Sequence, residues 1–488
     1  MTPFGPWTPD QPEYQGPGVV DVSNVLALGE LHYTSIPSLI EQGNALDARC
    51  QGAGTFRGIN GEIASFAGTI DKLYSFNGTT WSDVSRTVGG AYNVDPGDGW
   101  SMKAFGNYVV ALDGEAAPQV WTLGSSTNFA ALAGSPPVGR FGGVVGIHFV
   151  IARIAGALNK LAWCGTTGLT SWTAGTDLSD EQEMFVGGKI MGFVGGLGDY
   201  GVVFMERAIH RMNYLGADPT FSFTPISEEL GCAAEGSVAA FQQNIVFLAW
   251  DGFYLLQGGE QLTPIGKQLV DQFFWADVNQ SFLYRISAAF DPLLNVYCIS
   301  YPSLLSSDGT PDTTLFYSMN AQRWSKGEFG LEFVFSLRTQ TGYNTDTIDA
   351  VIGNTDATTY SVDTSLFSGS GRATIAAFSS NHKLETFSGP NMEAIIETQE
   401  VDLSPGRRSK ALGVVPICDG GTLSAALGYR DRVNDSVTWT AYSAQNAQGV
   451  CKFRRAARYT RVRVKVASGG TWKKLQGIDP LGAPEGMR

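Results

Sequence analysis

The sequence is short of the residues that build most catalytic and metal centres. Its 488 residues include four histidines (His32, His148, His210, His382) and six cysteines (Cys50, Cys164, Cys232, Cys298, Cys418, Cys451). The cysteines lie far apart with no Cys-x-x-Cys pair, which excludes a zinc ribbon or a disulfide framework and makes a reducing cytoplasm the default place of folding. The scattered histidines offer neither a metal-spaced pair nor a His-based triad. Long apolar runs are missing too. The most apolar stretch, FGGVVGIHFVIA at 141–152, is too short to span a bilayer and runs into Arg153. The opening MTPFGPWTPDQPEY has no basic run and no apolar core, so a signal peptide is not expected.

Glycine is abundant instead, at 60 residues, with 11% aromatic and 43% apolar residues, while charged residues make up only 16%. That balance suits a turn-rich β protein with a sizeable core. The length predicts two to four domains or one large repetitive unit. Short apolar runs alternate with Gly, Asn, Asp and Pro, the pattern of many short strands. Phenylalanines that follow small residues or open such strands recur at Phe66, Phe105, Phe141, Phe193, Phe241, Phe290 and Phe335, with spacings of 39, 36, 52, 48, 49 and 45 residues. Periods of roughly 40–50 residues with several strands per unit are those of propeller blades. The predicted fold is therefore all-β: a β-propeller, with six blades favoured and seven as the alternative, and a small C-terminal β-sandwich-like domain. Tandem irregular sandwiches are the competing architecture.

The expected organisation is an N-terminal arm or platform over 1–60, the propeller over 61–390 and the sandwich over 391–488. The arm, through VVDVSNVLALGELHYTSIPSL, is a candidate for the strand that closes the last blade. One or two turns of helix are predicted around 262–278, where Leu269, Phe273 and Phe274 share a face. In the sandwich, RVRVKV places Val462, Val464 and Val466 on one face and Arg461, Arg463 and Lys465 on the other, a half-buried strand with a basic open face.

No Gly-x-Ser-x-Gly elbow, phosphate loop or His-Glu-x-x-His helix occurs, and the Gly-rich MGFVGGLGDYG at 191–201 reads as turns around a strand. Glu228-Glu229 and Asp180-Glu181 are carboxylate pairs of the kind glycoside hydrolysis uses, but such pairs are usually solvated loops. The Asp-rich turns at 308–312 and 344–349 lack the spacing of a calcium loop. The segment LYSFNGTTWSDVS at 73–85 superficially matches the turn that decorates sialidase blades; it is one residue short and reads better as a type I′ Asn77-Gly78 hairpin, with Trp81 a strand-end packing residue. No enzyme activity, metal or cofactor is expected.

The charge is uneven. Residues 1–399 carry 18 Lys+Arg against 39 Asp+Glu, a balance of −21, whereas 400–488 carry 15 against 7, a balance of +8. An acidic body does not hold nucleic acid by counterion release. The basic cluster Arg407, Arg408, Lys410, Arg454, Arg455, Arg458, Arg461 and Arg463 is the candidate interface; without interleaved aromatics, a protein contact is favoured over nucleic acid.

Three segments together resemble the tail nozzle proteins of short-tailed bacteriophages, also called tail hub or packaged-DNA stabilisation proteins. They are SWTAGTDLSDEQEMFVGGKIMGFVGGLGDYGVVFMERAIHRMNYLG at 171–216, NIVFLAWDGFYLLQGGEQLTPIGKQLVDQFFWADVN at 244–279, and 285–329 from RISAAFDPLLNVYCISYPS to TLFYSMNAQRWSKGEF. The opening FGPWTPDQPEYQGPGVVDVSNVLAL and the closing RYTRVRVKVASGGTWKKLQGIDP are similar to the same family. The resemblance implies a structural virion protein made and assembled in the host bacterial cytoplasm. It implies a homo-oligomeric ring, usually a hexamer, beneath portal and adaptor proteins, carrying tail fibres and passing double-stranded DNA through its channel without specific binding. A receptor-binding or fibre-type virion protein is the alternative, and a propeller glycosidase a more distant one.

Overall fold

The computed structural model describes residues 1–13, 16, 18–338, 373–402 and 408–484. Seven four-stranded antiparallel sheets follow one another along the chain, each a strand-turn-strand meander. Their first strands are Gly52–Arg57, Ser101–Phe105, Gly139–Val145, Ile190–Val194, Ala239–Phe241, Ser287–Asp291 and Phe333–Arg338. At six of the seven junctions the first strands of adjacent blades lie together, including the last with the first. Between the fourth and fifth blades, Met191, Val202 and Phe204 share a core with Ile245 and Phe247. The sheets therefore form a closed ring, a β-propeller with seven blades where six were favoured.

The seventh blade explains the difference. Its first three strands are Phe333–Arg338, Ala373–Phe378 and Leu384–Asn391, and its fourth is Pro37–Gln42 from the start of the chain, paired antiparallel with Leu384–Asn391. Joining the two ends of the sheet into one blade leaves no open seam in the ring. The propeller thus spans 37–391, and residues 1–36 do not form a separate platform.

Those first residues complete the second unit. Thr2–Pro3 pairs with Leu475–Pro484 at one edge of a four-stranded sheet that continues through Ser409–Cys418 to Cys451–Ala457. Val19–Ser23 pairs with Ala394–Thr398 at the edge of a second sheet, which runs through Tyr459–Val466 and Leu423–Arg430. The C-terminal sandwich therefore takes an edge strand for each sheet from the arm.

Propeller and sandwich share one core. Phe4, Trp7, Val22 and Tyr33 of the arm cluster with Phe253, Phe274, Tyr301 and Trp324 of the propeller side, and with Val464 and Trp472 of the sandwich. Helix α1 (Asp271–Asp277) falls within the predicted helical segment, buries Phe274 and packs Phe273 edge-on against Trp7 at 5.2 Å. Asp10 of the arm caps it, accepting hydrogen bonds from the backbone N–H groups of Gln272 and Phe273 at 2.9 and 2.8 Å.

The hairpin at 73–85 is the outer pair of the first blade, formed by Leu73–Phe76 and Trp81–Asp83. Its turn is not the two-residue type I′ loop. Four residues, 77–80, separate the strands, and the Asn77 side chain accepts from the N–H groups of Thr79 and Thr80. Only Gly78 of the Asn-Gly pair has a positive φ, 99°. Trp81 is buried against Phe76 and Phe378, which makes it a packing residue between the first and seventh blades.

Candidate functional site

Each blade delivers one charged residue to the mouth of the propeller's central channel, at or within four residues of the start of its first strand. In blade order these are Arg49, Asp98, Arg140, Lys189, Glu235, Arg285 and Glu332, and all seven line one cavity of about 770 Å³. The signs run + − + + − + −, close to the alternation that seven positions permit. Convergence of first strands on an axis puts such residues side by side although they lie up to 283 positions apart in sequence.

Two networks divide the ring. In one, Arg153 reaches in from the second strand of the third blade and pairs with both Asp98 and Glu235. Its side chain is 8% exposed and its backbone is left-handed at φ 56°, where the pairing with the third strand shifts register. Arg140 stands behind it with the same two carboxylates at 3.6 and 4.0 Å. Arg140 and Arg153 lie 5.0 and 5.2 Å from the centroid of the Phe141 ring.

In the second network Glu332 is almost fully buried, 4% exposed, between His382 Nδ1 at 2.9 Å and Arg285 at 3.5 Å. Burial raises its pKa against the opposing His382 hydrogen bond and the nearby charge of Arg285. Arg49 donates one Nη to the Pro96 carbonyl at 2.7 Å, and burial, then the like charge of Arg285, lowers its pKa. Sequence spacing had no means of assembling these residues. The signal was present as a charged residue shortly before each Phe-bearing repeat, but a lone charge before a strand is ordinary.

The predicted basic cluster is dispersed by the fold. Arg461 and Arg463 do not present an open basic face: both pair with Glu397, at 3.0 and 2.6 Å, and Arg461 also pairs with Glu13 of the arm at 3.1 Å. Trp439 covers them, 4.1 Å from Arg463, while Lys465 pairs with Glu393 and lies over Tyr442. Val462, Val464 and Val466 are buried on the opposite face. Arg458 stacks on Tyr459 at 5.1 Å. On the other sheet Lys410, Arg454 and Arg455 are exposed, the last two on the edge strand Cys451–Ala457, with Arg408 beside it on the Ala456 carbonyl and Asp431. Arg407 lies outside the described residues.

The charge asymmetry changes with it. Residues 1–36 and 392–488 together carry 15 Lys+Arg and 13 Asp+Glu, a balance of +2, because the arm and the strands before residue 400 bring their own carboxylates. The propeller, 37–391, carries −15.

Among the described residues no three His, Cys, Asp or Glu side chains group as metal ligands. Asp308 and Asp312 are engaged by Ser306, Thr310 and Ser303, and 344–349 lies outside the described residues. No helix among the described residues is long and apolar enough to cross a membrane. Glu228-Glu229 and Asp180-Glu181 lie apart from the channel, the latter on the exposed outer strand Asp180–Glu183.

No protein-family model and no curated protein sequence matches the chain. Among solved structures, the Neurospora crassa Pan2 WD40 domain is similar at 9% identity over 71% of this chain and 94% of that one, with a TM-score of 0.39. The extracellular domain of the putative one component system BT4673 from B. thetaiotaomicron is similar at 9% identity and a TM-score of 0.42, over 82% of this chain and 47% of that one. YCF48 bound to D1 peptide is similar at 11% identity over 62% and 87%, with a TM-score of 0.34.

Proposed function

We propose that this chain is a structural virion protein, the nozzle subunit of a short phage tail, which assembles as a ring around a DNA conduit. The observation that carries the reading is the division of charge: a closed propeller at −15 fused to a sandwich and arm near neutrality. An acidic wall repels the phosphate backbone, so duplex DNA passes without the counterion-release attraction that would slow it. The shared core of arm, blades and sandwich supports the same reading, since a conduit wall under load benefits from units that do not swing on a linker. The nozzle resemblance of the sequence supplies the ring, the adaptor contact and the fibre contact.

Imaging of the assembled particle tests this. The nozzle reading expects several copies around an open axis wide enough for duplex DNA. Copies off the axis, on fibres, would replace it with the receptor-binding alternative; a chain that stays monomeric at high concentration and is missing from particles would remove both.

A further inference from the structure

The cavity at the propeller axis is lined by two arginines whose side chains find no hydrogen-bond acceptor within the described residues. Arg153 is satisfied by Asp98 and Glu235. Arg140 and Arg285 are not. Each guanidinium offers five N–H donors, yet neither makes a hydrogen bond within the described residues; Nε of both is buried without a partner. Their nearest carboxylate oxygens stand at 3.6 and 3.5 Å, and their side chains are only 12% and 13% exposed. The Lys189 ammonium, on the same wall, has no ion pair within the described residues.

One oxygen of each nearby carboxylate is committed: Asp98 Oδ1 and Glu235 Oε1 serve Arg153, Glu332 Oε2 faces His382, and Asp95 Oδ1 accepts the Gly97 N–H at 2.7 Å. Within the described residues none of their oxygens makes a hydrogen bond to the side chain of Arg140, Arg285 or Lys189, and Glu115 is exposed at the edge. Buried donors with no acceptor are costly, and more so on charged groups. The Nη groups of both arginines make no hydrogen bond within the described residues and are not among the buried unpartnered atoms, and a guanidinium fork matches the two oxygens of a carboxylate or phosphate. At about 770 Å³ the space is of the size that small-molecule sites occupy.

We propose that the propeller's axial cavity is a binding site for a small oxyanion, a carboxylate or a phosphate, held by Arg140, Arg285 and Lys189. It concerns the axis of a single propeller and does not depend on the ring proposed above.

Calorimetric titration of the full chain with inorganic phosphate and, separately, citrate, at an ionic strength held constant with sodium chloride, tests it. Saturable binding at one site per chain is expected. Phosphate alone binding assigns a phosphate site, citrate alone a carboxylate site, and both a general oxyanion site. Arg140→Gln and Arg285→Gln should each weaken binding about tenfold, the effect of one lost charged hydrogen bond, while Arg454→Ala, on the sandwich edge, should leave it unchanged. Lys189→Ala, which breaks no side-chain hydrogen bond or ion pair among the described residues, gives the same reading about fivefold weaker should either arginine variant fail to fold. No saturable heat with either anion, or equal affinity in folded axial variants and wild type, would overturn the proposal.

Discussion

The guanidinium carbon of Arg323 lies 4.5 Å from the centroid of the Tyr33 ring, and both side chains converge on the Gly5 carbonyl. Arg323 belongs to the outer strand of the sixth blade, whereas Tyr33 and Gly5 belong to the arm. Through its two Nη atoms Arg323 also reaches the carbonyls of Gly29, Glu30 and Phe4. Four carbonyls in two segments of the arm thus obtain a donor from one propeller side chain, Gly5 sharing its carbonyl with the Tyr33 hydroxyl.

Arg323→Met keeps the length of the stem and removes all those donors. A loss of about 2–4 kcal/mol is expected, read as a fall in the urea midpoint. Arg323→Lys should recover only part of it, because one ammonium does not span the two loops as a planar fork does. A change below about 0.5 kcal/mol for the Met variant would show that the arm is held by its apolar contacts alone.

Asp271 opens helix α1 and is 8% exposed, with its carboxylate accepting the Phe253 N–H at 3.0 Å. Burial raises its pKa to about 6, with smaller contributions from Asp10 and Asp251. The sign follows from linkage. Between pH 4 and pH 6 the unfolded chain has released this proton while the folded chain still holds it, so stability falls as pH rises through that window. The contribution is about 1–2 kcal/mol once solvent screening is allowed for. Asp271→Asn should flatten the dependence between pH 4 and pH 6 and raise the melting temperature at pH 7. An unchanged pH profile would contradict the shifted carboxyl.

Much of the propeller was legible because a blade needs only an apolar face and turns at regular intervals. Phe105, Phe141, Phe193, Phe241, Phe290 and Phe335 fall on first strands of blades, and Phe66 on a second strand. The closing strand was only one option among several, since its partner Leu384–Asn391 is more than 340 residues away and the pairing leaves no local mark. The basic face on Tyr459–Val466 was misread for a related reason. Alternation correctly separates Val464 from Arg463, but nothing in RVRVKV says that Glu397 stands on the neighbouring strand and Glu13 in the arm. The channel ring is the same problem seven times over: local sequence shows single charges, and only ring closure makes them a cluster.

All six cysteines are unpaired; five are buried and Cys418 is half-buried. Burial pushes every one of the thiols up, Cys232 to about 12. A thiol-specific chromogenic reagent should therefore modify at most Cys418 in the native protein, the other five reacting only on unfolding. Added reductant should not shift the melting temperature. Rapid native labelling of Cys50 or Cys298, which sit in the cores between blades, would mean that the ring opens readily.

The Asp98–Arg153–Glu235 network ties the second, third and fifth blades at the axis, and its value lies in balance more than in attraction. Taking three charges out of water is expensive, so the pairs offset a penalty that their own burial creates. Removing the cation alone exposes that penalty. Arg153→Gln leaves Asp98 and Glu235 facing each other, with Arg140 at 3.6 and 4.0 Å as the remaining counter-charge, and a loss of about 3–5 kcal/mol is expected. Adding Glu235→Gln to that variant leaves a single carboxylate, Asp98, facing Arg140 at 3.6 Å, a neutral pair, so the double variant should melt well above the single one and approach wild type. The single variant should also gain stability as pH falls and the stranded carboxylates take up protons, whereas the double variant should not. Thermal melts of both variants at pH 5 and pH 7 decide the matter: a double variant no more stable than the single one would mean that the arginine acts by attraction or by packing against Phe141, and that balance of charge has no part in holding the axis.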